Sequence, residues 1–123
     1  MENSKKAKLL LIDNEEWFRE ILKDILQNNG YLVQAESDGL SALQKLKKEH
    51  FDAIICDIDM PGCSGITVLE KAKLIDPEVK VIMMISGGNK LHYYFSMFMG
   101  ANGFFSKPFD ICHILSIIER SLQ

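Results

Sequence analysis

Three stretches of this chain, LLLI (Leu9–Ile12), AIIC (Ala53–Cys56) and VIMMI (Val81–Ile85), contain no polar residue. Each is short enough for a strand and too short for a typical buried helix. A strand with one wet face alternates apolar and polar residues, so an unbroken apolar strand is covered on both faces. Such strands belong to a parallel sheet sandwiched between helices, because parallel neighbours need helical crossovers.

The intervening segments supply those crossovers. Trp17, Phe18, Ile21, Leu22, Ile25 and Leu26 form an apolar stripe at helical spacing, closed by Asn28-Asn29-Gly30. A short strand over Leu32–Ala35 precedes a helix over Leu40–Lys47 with Leu43 and Leu46 inward. After the Pro61-Gly62 turn, Ile66, Leu69 and Ala72 mark a third helix. Lys90–Met99 is predicted as a fourth helix, ended by Gly100, and Phe104-Phe105 as a fifth strand. The last helix runs over Ile111–Leu122, with Ile114, Leu115, Ile118 and Leu122 on one face. The expectation is an α/β fold: a doubly wound parallel sheet of five strand–helix units in three layers, forming one domain over residues 1–123.

A net charge of −3 argues against a nucleic-acid-binding surface. No apolar run approaches the ~20 residues of a membrane span, and MENSKKAK lacks the apolar core of a signal peptide, so a cytoplasmic protein is expected. The three cysteines, Cys56, Cys63 and Cys112, are odd in number and form no CxxC, which suggests neither a disulfide frame nor a zinc site. Cys56 is expected to be a small buried hydrophobe, and Cys63 a free thiol in a loop.

Ligands of doubly wound sheets bind beyond the carboxyl ends of the strands. Asp13, Asn14, Glu15 and Glu16 follow the first strand, Asp57 and Asp59 the third, Ser86-Gly87-Gly88 the fourth, and Lys107-Pro108 the fifth. Acids, a hydroxyl and an ammonium therefore converge on one edge from distant parts of the chain. Crowded carboxylates repel one another, and a hard divalent cation such as Mg2+ relieves that repulsion. A carboxylate can also attack phosphorus, with the cation and a lysine neutralising the transferring group. The residues by themselves point to an Mg2+-dependent phosphoryl site on an acid, with Lys107 neutralising charge opposite the cation and Ser86 able to donate a hydrogen bond to a phosphoryl oxygen.

The segments LLLIDNEE, DAIICDIDMPGCSG, VIMMISG and GANGFFSKPF resemble, in order, those of response-regulator receiver domains of two-component signalling (the CheY-like superfamily). The resemblance covers nearly the whole chain. It implies a flavodoxin-like sheet in strand order 2-1-3-4-5, with Asp57 accepting phosphate from a sensor histidine kinase, a histidine phosphotransfer protein or a small phosphodonor. It implies phosphoryl contacts from Ser86 and Lys107, and Mg2+ bound by Asp13, Asn14, Asp57 and the backbone carbonyl of Asp59. Ser86 and Phe104 take the switch positions, and Lys107-Pro108 resembles the family's cis peptide. The implied output is a change in the surface of the fourth helix, fifth strand and fifth helix, for a downstream protein or a homodimer.

The sequence departs from the family's pattern at three places. Asn14 replaces a second aspartate, so weaker metal binding is expected. Phe104 replaces a tyrosine, so its switching is driven by packing alone. Gly88 leaves no side chain beside the acceptor. KLHYYFSMFMG (Lys90–Gly100) is apolar almost all round, which suggests a partner surface with Tyr94 and Phe98 as its exposed members. His50, His92 and His113 are scattered and expected to be solvated or core residues. Asp13 is either a helix cap or a site residue, and the site reading is preferred. Glu15 and Glu16 are expected only to suit the positive end of the first helix. Two other functions compete: a small haloacid-dehalogenase-like phosphatase, from the Asp-x-Asp at Asp57 and Asp59, and a receiver that binds partners without being phosphorylated.

Overall fold

The computed structural model describes residues 7–86, 97, 99–107 and 110–123, with the side chain of Ser86 outside that set. Five strands, β1 (Lys8–Ile12), β2 (Leu32–Glu36), β3 (Ala53–Asp57), β4 (Lys80–Ser86) and β5 (Gly103–Lys107), form one sheet. All neighbouring pairs are parallel, and the order is β2-β1-β3-β4-β5. The described helices are α1 (Glu16–Asn28), α2 (Gly39–Lys48), α3 (Gly65–Ile75) and α4 (Ile111–Leu122). The helix expected over 90–99 lies almost wholly outside the described residues. Gly100 has φ +95 and donates its N–H to the Met97 carbonyl at 3.1 Å, a left-handed conformation that glycine adopts at no steric cost.

The unbroken apolar strands divide their side chains between two cores. Leu10, Ile12, Ile54, Cys56, Val81, Met83 and Ile85 join α2 and α3 on one face. Leu9, Leu11, Ala53, Ile55, Ile82 and Met84 join α1 and α4 on the other. Consecutive strand residues point to opposite faces, so both parities must be apolar when both faces are covered.

Helix faces were less legible than strand faces. Phe18, Leu22 and Leu26 of α1 are buried, but Trp17 and Ile21 are 64% and 51% exposed. The sheet covers only part of that broad stripe. In α4, Ile117 is buried beside Ile114 and Ile118, whereas Leu115 and Leu122 pack at the core's margin.

Three helices start on side-chain caps: Asp38 accepts from Ser41 N, Ser64 from Thr67 N, and Asp110 from Cys112 N. Gly65 opens α3 directly against the end of β3. A Cβ there would sit 2.4 Å from the Asp57 carbonyl oxygen and 2.6 Å from the Ile58 Cα, so only glycine lets the helix close down on this edge.

Candidate functional site

Asp13 follows the last residue of β1, Asp57 ends β3, and Lys107 ends β5 in register with Ser86 of β4. Among the described residues, Asp13 and Asp57 are the buried charged side chains, at 0% and 4% exposure. Buried carboxylates require partners. Lys107 Nζ lies 2.9 Å from Asp13 Oδ2 and 3.2 Å from Asp57 Oδ2, so one ammonium bridges both acids. The other oxygens are held by backbone: Asp13 Oδ1 accepts the Glu15 N–H at 2.8 Å, and Asp57 Oδ1 accepts the Asp59 N–H at 3.1 Å.

Asp13 makes no helix-capping bond; its carboxylate holds the Glu15 N–H ahead of α1 and shares Lys107 with Asp57. It ties the entry to α1 and it lies in the site. Glu15 requires a correction. It occupies the N-cap position but makes no side-chain cap, and its carboxylate instead reaches Lys107 Nζ at 3.4 Å. Helix-end electrostatics alone had been expected of it. A clue was present in the sequence, because a solvent-facing acid two residues beyond Asp13 lies within a long side chain's reach of the same lysine. Two further contacts come from α1. The Phe18 ring centroid lies 4.2 Å from Lys107 Nζ, and Arg19 Nη1 donates to the Asp13 carbonyl at 2.6 Å. Glu15, Phe18 and Arg19 are spaced i, i+3 and i+4, which places them on one helix face.

Burial raises the Asp57 carboxyl above its ordinary range; the Asp59 N–H and Lys107 oppose that shift, and Asp13 reinforces it. Burial by itself would depress Lys107, but the hydrogen bond and charge of Asp13 and Asp57 outweigh it and leave the ammonium held above its usual value. The Cys56 thiol, wholly buried beside Asp57, is pushed well up by burial and is inert, in line with its expected packing role.

The carboxylate oxygens of Asp13 and Asp57 are hard donors of the kind Mg2+ prefers, and Asn14 and the backbone carbonyl of Asp59, close to them in sequence, could add further oxygens. Among the described residues no three His, Cys, Asp or Glu side chains are grouped to hold a metal. Buried Asp13 and Asp57 carry two negative charges against the one of Lys107, leaving a deficit that a cation fits.

Residues 9–119 match the family described as Response regulator receiver domain. The chain belongs to that family. It is 34% identical over 117 residues to chemotaxis protein CheY of Bacillus subtilis, covering 94% of this chain and 98% of that protein. It is 33% identical over 115 residues to sporulation initiation phosphotransferase F of the same organism, covering 94% and 93%. The crystal structure of a response regulator receiver domain protein from Clostridium thermocellum superposes with a TM-score of 0.90 at 27% identity, covering 94% of each chain. The protein is a receiver domain, the phosphoacceptor module of two-component signalling, and the strand order agrees with the fold expected of one. None of these matches favours the phosphatase reading. Receivers are signalling modules that engage histidine kinases or phosphotransfer proteins and downstream targets. Among the described residues no helix is long and apolar enough to cross a membrane.

Several expected receiver features lie outside the described residues: the side chain of Ser86, Gly88, Tyr94, Phe98 and Pro108. Phe104 is half-buried against the α2/α3 core and lines a surface cleft with His113, Ile117 and Arg120. Phe104 and Lys107 are three residues apart on a strand and so face opposite sides of the sheet. Asn14 is exposed at the mouth of the site, and His50 and His113 are exposed.

Proposed function

We propose that Asp57 is the phosphoacceptor of this receiver and that Lys107 is the cation that meets the transferred group. The observation that carries this reading is the Lys107 bridge between two buried carboxylates at the carboxyl edge of the sheet. An Asp57 oxygen attacks the phosphorus of a phosphohistidine or acyl phosphate. The new O–P bond makes an acyl phosphate, and the bond to the donor's nitrogen or oxygen breaks with its electron pair. Lys107 exchanges its contact with the Asp57 carboxylate for one with a phosphoryl oxygen while Asp13 retains it. Asp13, Asn14, Asp57 and the Asp59 carbonyl would hold Mg2+, which supplies charge neutralisation at the phosphoryl oxygens. The Asp59 N–H holds Asp57 Oδ1 and orients the acceptor.

On this reading residues 1–123 act as a single receiver domain. Phosphorylation reshapes the face around Phe104 and the helix expected over 90–99, where Tyr94 and Phe98 meet a downstream protein or a second copy. Retention of Asp57 and Lys107 in contact favours a phosphorylated receiver over one that binds partners without phosphorylation. Incubation with Mg2+ and acetyl phosphate, followed by intact mass measurement, tests the assignment. A single phosphoryl adduct on the wild type and none on Asp57→Ala is expected. No adduct under conditions that modify another receiver would overturn it.

A further inference from the structure

Lys107 has a neighbour that is not an acid. Its Nζ lies 4.2 Å from the centroid of the Phe18 ring, a distance at which the ring's negative face attracts a cation. Phe18 is only 7% exposed and the Lys107 side chain 13%, so water screens the contact weakly. Three carboxylates pull on the same ammonium: Asp13 at 2.9 Å, Asp57 at 3.2 Å and Glu15 at 3.4 Å. The first two are buried, but the Glu15 side chain is 49% exposed and draws Lys107 toward solvent. Phosphoryl transfer needs the ammonium beside Asp57 and brings in an anionic donor. A further carboxylate could hold the lysine in place only by adding charge that repels the donor. An aromatic face holds a cation and adds no formal charge.

We propose that Phe18 is a positioning residue for the phosphorylation chemistry, its ring keeping the Lys107 ammonium beside Asp57 against the outward pull of Glu15. Both influences come from the start of α1, the carboxylate from its N-cap residue Glu15 and the ring from Phe18 in its first turn. This proposal rests on the assignment of Asp57 and Lys107 made above.

The test compares rates of acetyl-phosphate-driven adduct formation, with Mg2+ present, in the wild type, Phe18→Leu, Phe18→Tyr and the double variant Phe18→Leu/Glu15→Gln. Leucine keeps an apolar filling without a π face, and tyrosine keeps the face. Phe18→Leu is expected to react about fivefold more slowly. Phe18→Tyr is expected to stay near the wild-type rate, and the double variant to regain most of the loss because the competing pull has gone. A purely structural role for Phe18 would not be rescued by a change at Glu15. Thermal unfolding confirms that each variant is folded, and Phe18→Met replaces Phe18→Leu if the latter is not. A wild-type rate in the leucine variant, or a double variant as slow as the single one, would overturn the proposal. In the unphosphorylated protein, the ε-methylene protons of Lys107 should resonate upfield through the ring current of Phe18, and an unshifted signal would also overturn it. If the wild type itself forms no adduct, the acceptor assignment fails, and this NMR signal still decides whether the contact exists.

Discussion

Among the described residues, two lysines sit over phenylalanine rings among acids, and they do different things. Lys8 opens β1, pairs with Glu49 and lies 4.7 Å from the centroid of Phe51. Its network continues through Gln34 to Lys45 and Glu36, so two lysines face two glutamates on a wet surface. Lys107 closes β5 and is shared by the carboxylates of Asp13, Asp57 and Glu15. The Lys8 and Glu49 side chains are 30% and 34% exposed, against 13%, 0% and 6% for Lys107, Asp13 and Asp57. The outer network is balanced and solvated, which makes it an ordinary surface clip. The inner one is buried and carries surplus negative charge. A fold does not retain that arrangement for its stability, because removing charges from water costs more than an imperfect set of pairings returns. A cation would relieve that imbalance.

The sharpest way to break the comparison is to remove each lysine's partnership in turn. Lys107→Met leaves two buried carboxylates without their cation. It is expected to cost ~3–5 kcal/mol in urea unfolding at neutral pH and to abolish adduct formation. Part of the lost stability should return on acidification, as the carboxylates take up protons. Next in size is the charge missing at Asn14. Asn14→Asp should tighten Mg2+ binding on the order of tenfold, because affinity follows the charge of the ligand set. Fluorescence of Trp17, the single tryptophan, which stands at the start of α1, offers a titration signal. An unchanged affinity would mean that Asn14 lies outside the metal shell.

A smaller effect is expected from Asp57 itself. Its carboxyl is raised above the ordinary aspartate value of 3.8, chiefly by burial. A raised folded value favours the protonated form, so its stabilising contribution is complete below pH 3.8 and disappears as pH rises through the folded value. The ionised Asp57 therefore costs stability at neutral pH. Asp57→Asn should be more stable than the wild type at pH 7, by less than Lys107→Met loses, and the difference should shrink toward pH 4 in paired urea titrations. At the outer network, Glu49→Gln should leave the unfolding midpoint almost where it is. A large fall there would show that balance and exposure do not separate the two sites.

Much of this receiver was legible before its structure, for stated reasons. The three apolar runs allowed only a sheet covered on both faces, and strand ends placed Asp13, Asp57 and Lys107 on one edge. Positions that depend on a side chain's direction were harder to read. The stripe of α1 gave no sign that Trp17 and Ile21 would face solvent while Phe18 turned inward, since a helix's apolar arc can be wider than the surface it covers. Glu15 and Glu16 are identical in type and adjacent, and both suit a helix start. Only the rotation of α1 about its axis sends Glu15 to Lys107.

The sequence by itself determined the layered α/β fold and the chemical character of the site, because strand periodicity and backbone topology are local patterns repeated along the chain. Tertiary structure alone decided which groups share the ammonium. Asp13, Asp57, Glu15 and Phe18 compete for Lys107 from up to 94 residues away in sequence, the three carboxylates at separations that differ by tenths of an ångström. Short-range electrostatics in a dry site changes steeply over such differences, and no pattern along the chain encodes them.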